Sequence, residues 1–98
     1  MYIVRRTEMF SGWFKRLKDP STRQRLNVRL RKAMRGNLGD VRRVGPGVFE
    51  MREHFGPGWR MYYARRGKVL IIMLGGGDKS TQATDIARAI ELADKLED

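Results

Sequence analysis

One feature constrains this chain more than any other: the spacing of its apolar residues changes at Gly36-Asn37-Leu38-Gly39-Asp40. Before this loop, apolar side chains recur every three or four positions; after it they alternate. The two periods belong to helices and strands respectively, and neither element can satisfy the other's pattern. Helices must therefore precede a run of strands, and 98 residues leave room for one core.

The spacing predicts the elements in order. Tyr2-Ile3-Val4-Arg5 suits a first strand, being β-branched and aromatic. Thr7 reads as an N-cap with Glu8 in the first turn, and Met9, Phe10, Trp13, Phe14 and Leu17 continue as a helix from Glu8 to Lys18. Asp19-Pro20 stops that helix and starts another, since proline fits the first helical position. Leu26, Leu30, Ala33 and Met34 form the second helix's apolar stripe, Gly36 closes it, and the short linker makes the pair a hairpin.

Strands follow at Val41 to Val44, Val48 to Glu53, Trp59 to Ala64 and Val69 to Leu74, separated by glycine-rich or basic turns. The last is apolar on both faces, which places it inside a sheet. Ser80 or Thr81 caps a final helix with Ile86, Ala89, Ile90, Ala93 and Leu96 along one side. The expected fold is one α+β domain over residues 1–98, ordered β-α-α-β-β-β-β-α, with a helical hairpin packed on a mostly antiparallel twisted sheet.

Charge narrows the function. The formal net charge is +10, and its distribution is uneven: residues 1–68 hold 18 basic and 5 acidic side chains, residues 69–98 hold 3 and 6. A field of one sign over two thirds of a small domain points to a polyanion or an acidic protein partner. The absence of cysteine excludes a disulfide framework and thiolate-held metals, and a single histidine gives no imidazole cluster. The longest apolar run has six residues, against about 20 for a bilayer-spanning helix, and the N-terminus lacks a secretory apolar segment. The expectation is a cytoplasmic protein without metal, cofactor or membrane contact.

Gly75-Gly76-Gly77-Asp78-Lys79-Ser80-Thr81 lies between a strand and a helix but is not a phosphate loop, because Asp78 stands where the Lys-Ser pair requires glycine. Arg52 and Arg60 are more informative. Each falls within a strand, and the alternation gives them a shared face, where two guanidinium groups would make a rigid cationic fork for phosphate oxygens. The alternative is an exposed face salt-bridged to Glu50 and Glu53. Lys79 follows the last strand and could complete the cluster. His54 is the only side chain whose ordinary pKa suits proton transfer near neutrality, and it is either a catalyst or a turn residue. Trp59, Tyr62 and Tyr63 could stack on bases, although at least two of the three belong to the core. On the second helix, Arg25, Arg29, Lys32 and Arg35 form an outer basic face suited to RNA or the ribosome.

The run Met51-Arg52-Glu53-His54-Phe55-Gly56-Pro57-Gly58-Trp59-Arg60-Met61-Tyr62-Tyr63, followed by Gly76-Gly77-Asp78-Lys79-Ser80-Thr81-Gln82 and Asp85-Ile86, resembles the RelE/ParE toxin superfamily, in its HigB-like addiction module killer branch. The resemblance extends from Tyr2 to about Ala93. It implies the toxin of a type II toxin–antitoxin pair, neutralised by a cognate antitoxin of helix-turn-helix type. It further implies a metal-free mRNA endoribonuclease that acts on the ribosome and stops translation. By position, Arg52 and Arg60 match the family's phosphate-engaging strand arginines, and Lys79 its basic residue after the last strand, with His54 a candidate acid or base. Several RelE-like nucleases end in a tyrosine or histidine near the groove, whereas here neither follows Tyr63. That departure leaves the acid–base assignment open. Two alternatives stand beside the nuclease: a ParE-like poison of DNA gyrase, which shares the fold, and a basic module, supported by composition alone, that binds RNA or the ribosome without cutting.

Overall fold

A computed structural model describes residues 1–96. The elements are β1 (Ile3–Arg6), α1 (Glu8–Arg16), α2 (Pro20–Met34), β2 (Val41–Gly45), β3 (Val48–Arg52), β4 (Arg60–Arg66), β5 (Leu70–Gly77), a 3₁₀ turn (Lys79–Thr81) and α3 (Gln82–Lys95). The strands form one sheet in the order β1-β5-β4-β3-β2. Only β1 and β5 pair in parallel, with Ile3 beside Leu70 and Arg6 beside Met73; the other pairings are antiparallel. The α+β fold and element order read from the sequence are the ones observed.

Local chemistry sets the helix starts. Thr7 caps α1 by accepting the Phe10 N–H, and Asp19 caps α2 by accepting from Ser21 with Pro20 at the first position. α1 ends at Arg16 rather than Lys18, because Leu17 leaves helical geometry and turns into the core. Met34 leaves the predicted apolar stripe: it is the last helical residue and lies exposed, so Leu26, Leu30 and Ala33 carry the burial.

The sheet is covered on both faces. α1 and α2 pack Phe10, Phe14, Leu26 and Leu30 against Met51, Met61, Tyr63, Ile71 and Met73. On the opposite face, α3 lays Ala89 and Ala93, with Ile86, Ile90 and Leu96 beside them, on Val48, Tyr62, Ala64, Ile72 and Leu74. The residues of β5 thus alternate between two cores, as its two-faced apolar run requires. β5 also extends through the three glycines that the sequence reading used to end it. The polar end of the α3-covered face, near Gly77, holds a cluster of charged residues.

Candidate active site

Strand alternation puts Arg52 and Arg60 on the α3-covered face, since Met51 and Met61 occupy the helical-hairpin core. Register makes the relationship closer: Arg52 is the direct cross-strand partner of Arg60, which is in turn the partner of Gly77 on β5. The connection from β3 to β4 bends through Gly56 and Gly58, whose φ values of 57° and 80° favour glycine.

The two arginines are held differently. Arg52, with 35% of its side chain exposed, donates from Nη2 to Asp40 Oδ1 at 2.8 Å. Arg60 is only 4% exposed. Its Nη1 donates to the Glu53 carbonyl at 2.8 Å and the Trp59 carbonyl at 3.0 Å, and its Nε lies 3.9 Å from Glu50 Oε1. The two members of the expected fork thus differ, Arg52 being partly exposed and Arg60 buried. Both Nε–H groups are buried without a hydrogen-bond partner, as are Glu50 Oε1 and the Tyr62 hydroxyl. These four atoms belong to two adjacent cross-strand pairs, Arg52 with Arg60 and Glu50 with Tyr62.

Asp40, unremarked in the sequence, joins the site at its outer end. While Oδ1 receives Arg52, Oδ2 lies 2.7 Å from His54 Nε2. The hydrogen bond from Arg52, followed by that from His54, holds the Asp40 carboxyl down at about 2. His54 is otherwise open, with 68% of its side chain exposed. Asp40's partners lie 12 and 14 residues away in sequence, which is why no local motif pointed to it.

Glu50 sits beneath this surface rather than on it. The sequence alternative of an exposed ion-paired face fails here because Glu50 is fully buried. Gln82, the first residue of α3, donates to Glu50 Oε2 at 2.7 Å, and Arg42 Nη2 approaches Oε1 at 3.5 Å. Burial first, and then the Glu50 carboxylate, push the Tyr62 hydroxyl's ionisation above the ordinary phenol range. Tyr62 and Tyr63 are core residues as expected, whereas Trp59 is partly buried and meets Trp13 edge-on. Glu53 points to the other side and pairs with Arg29.

Lys79 projects from the 3₁₀ turn, and the structure brings it to the Gly56-Pro57-Gly58 bend. A Cβ on Gly58 would lie 2.9 Å from Lys79 Cγ, so the missing side chain makes room for the lysine stem. Among the described residues, no carboxylate pairs with the Lys79 ammonium.

The basic residues of α2 divide. Arg25 lies over the Phe55 ring at 3.7 Å, and Arg25 and Lys32 line a groove of about 340 Å³ that reaches Asn37 and Gly39. Arg35 belongs to a separate, more apolar hollow with Met1, Tyr2 and Met34. Arg29, expected on the outer face, turns inward. It donates to the carbonyls of Leu38, Asp40 and Arg52 as well as to Glu53, because its position beside Leu26 and Leu30 aims a long side chain at the open carbonyls of the 38–40 loop. A second cleft, of about 310 Å³, lies between α1 and α3 along Gly75, Gly76 and Gly77, with Trp13, Arg16 and Arg88 on its walls.

The arrangement is a row of two arginines flanked by an imidazole and a lysine. No described group of three or more histidine, cysteine, aspartate or glutamate side chains is placed to hold a metal, and no described helix is long and apolar enough to cross a membrane.

Three comparisons place the chain among known proteins. It is 40% identical to an uncharacterized protein of Haemophilus influenzae over 93 residues, which cover 95% of this chain and 94% of that protein. The solved structure of an arginine-to-alanine double mutant of E. coli toxin RelE in the free state superposes with a TM-score of 0.73 at 17% identity, covering 93% of this chain and 96% of that one. That likeness establishes a shared fold. A family model for phage-derived Gp49-like proteins (DUF891) matches residues 13–97. The chain therefore belongs to the Gp49-like family, built on the fold seen in RelE.

Proposed function

We propose that this protein is the toxin of a type II toxin–antitoxin pair, of the HigB-like kind, and that it cleaves mRNA on the ribosome in the cytoplasm until a helix-turn-helix antitoxin neutralises it. The observation that carries the reading is the direct pairing of Arg52 with Arg60 across β3 and β4, with His54 and Lys79 at the two ends of the row.

RNA cleavage by its own 2′-hydroxyl suits such a row. The 2′-oxygen attacks the adjacent phosphorus and loses its proton to a base. Negative charge builds on the phosphorane oxygens, and the 5′-oxygen leaves as it takes a proton, giving a 2′,3′-cyclic phosphate and a 5′-hydroxyl. Fixed cations stabilise the charge that develops in the transition state. Arg52 and Lys79 have the exposure to contact the phosphate, while Arg60 supplies a permanent positive charge beneath them. His54 is the candidate for moving a proton, and the Asp40 carboxylate that it shares with Arg52 supports that role. Arg25, Lys32 and Arg35 give the chain a broad attraction for RNA or the ribosome.

The test is product mapping with purified protein. Primer extension on translating ribosomes should show codon-phased cuts that antitoxin abolishes. Gyrase-dependent DNA breaks instead would identify a gyrase poison, and retention on ribosomes without cuts a binding module.

A further inference from the structure

Glu50 and Arg60 are the only charged side chains among the described residues that are buried, and the site chemistry above uses only one of them. A buried carboxylate is costly, and apolar replacements of buried ion pairs are often as stable or more so. Stability alone is therefore a weak reason for Glu50.

Its contacts give a stronger one. Glu50 lies on β3 two residues before Arg52. Oε1 faces Arg60 Nε of β4 at 3.9 Å and Arg42 of β2 at 3.5 Å, while Oε2 receives Gln82 at the start of α3, one residue after the turn that carries Lys79. One fully buried carboxylate thus touches or adjoins the segments that bear Arg52, Arg60 and Lys79. Arg60 needs such a partner, because two carbonyls fix only its Nη1 end. Tyr62, the cross-strand partner of Glu50, is also fully buried, and its hydroxyl has no hydrogen-bond partner.

We propose that Glu50 is a positioning residue: a buried counter-ion that aligns the Arg60 guanidinium and, through Gln82, ties the Lys79 turn to the sheet. It makes no contact with substrate in this role. The inference builds on the RNA-cleavage reading, and its test separates the two.

Glu50→Gln keeps the shape and an acceptor for Gln82 but removes the charge; Gln82→Ala keeps the charge and removes the tie. Each variant is compared with the wild type, once folding is verified, by kcat and KM on programmed ribosomes and by NMR exchange of the Arg60 Nε–H with solvent. Glu50→Gln should lower kcat by about 10- to 100-fold, less than the 100- to 1,000-fold or so for removing a transition-state donor outright, with KM within about twofold. Its Arg60 Nε–H should exchange at least about tenfold faster, since local opening governs exchange. Gln82→Ala should lower kcat by a smaller factor and speed amide exchange at Lys79 to Thr81. A folded Glu50→Gln variant with wild-type kcat, or with unchanged Arg60 exchange, overturns the proposal. If Glu50→Gln does not fold, Gln82→Ala decides: wild-type kcat and exchange then overturn it. A wild-type protein that cuts no RNA defeats the functional reading, while Arg60 exchange in Glu50→Gln still reports whether Glu50 positions it.

Discussion

Arg52 stands directly across the β3–β4 ladder from Arg60, one guanidinium partly in solvent and the other beneath α3. Like charges at directly opposed positions destabilise a sheet. The protein offsets this with a separate carboxylate for each, Asp40 on Arg52 and Glu50 beside Arg60. The pairing therefore reads as a functional arrangement maintained against a local cost.

Replacement of the two arginines should separate stability from activity. Arg60→Ala leaves Glu50 with less compensation in the interior and should cost about 3 to 5 kcal/mol of stability, whereas Arg52→Ala should change stability little, its partner being half exposed. Both should lose cleavage, Arg52→Ala by about 100- to 1,000-fold. Arg60→Lys should also be impaired, because an ammonium cannot reach two carbonyls and Glu50 as a planar fork does. Chemical denaturation alongside single-turnover cleavage measures each effect.

His54→Ala should leave the thermal transition unchanged, because the ring is exposed. If His54 moves a proton, the variant's pH–rate profile should flatten and its rate fall by about 100-fold or more. Near-wild-type cleavage would assign the histidine to the turn.

Acid should leave the Asp40 clamp intact longer than ordinary carboxylate pairs. The folded-state pKa is depressed from 3.8 to about 2, so the clamp's contribution is fully present above pH 3.8 and is lost as pH falls through about 2. Carboxyl carbon shifts of Asp40 followed by NMR should titrate below pH 3 in the wild type. Arg52→Ala, which removes the larger cause, should move the midpoint upward.

The basic residues of α2 should divide by role. Arg25→Ala and Lys32→Ala should weaken ribosome or RNA binding and each reduce the salt slope by roughly 0.7 to 0.9. Arg29→Ala should act through stability instead, at about 2 to 4 kcal/mol, because it strips partners from three carbonyls and one carboxylate. Filter binding across salt concentrations, paired with urea unfolding, distinguishes the two behaviours.

Much of the fold was legible because it depends on local period. Thr7, Asp19 and Pro20 marked helix starts, and the alternation around Met51 and Met61 put Arg52 and Arg60 on a shared face. Their direct opposition depends on the length and left-handed glycines of the 53–59 connection, which composition alone does not specify. Asp40 was overlooked because its partners come from the end of β3 and the turn beyond it. The alternative of an exposed, ion-paired face at Glu50 stayed open because alternation shows which residues share a face but not whether that face is covered. Arg29 was misplaced for a related reason: it borders the apolar stripe, and only the tertiary position of the 38–40 loop turns it inward.

The parallel pairing of β1 with β5 has a consequence for assembly. Residues 3–6 find their sheet partner only after residues 70–73 exist, and loop closure over such a span precedes any gain from the contact. A chain emerging from the ribosome can form α1 and α2 early, yet their apolar faces have no complete sheet to cover until β5 arrives. The row from Asp40 to Gly77 is finished at the same late moment. Synthesis thus delivers the cationic surface nearly all at once, when β5 emerges, and a nascent chain interrupted before β5 carries its charges without the framework that aligns them.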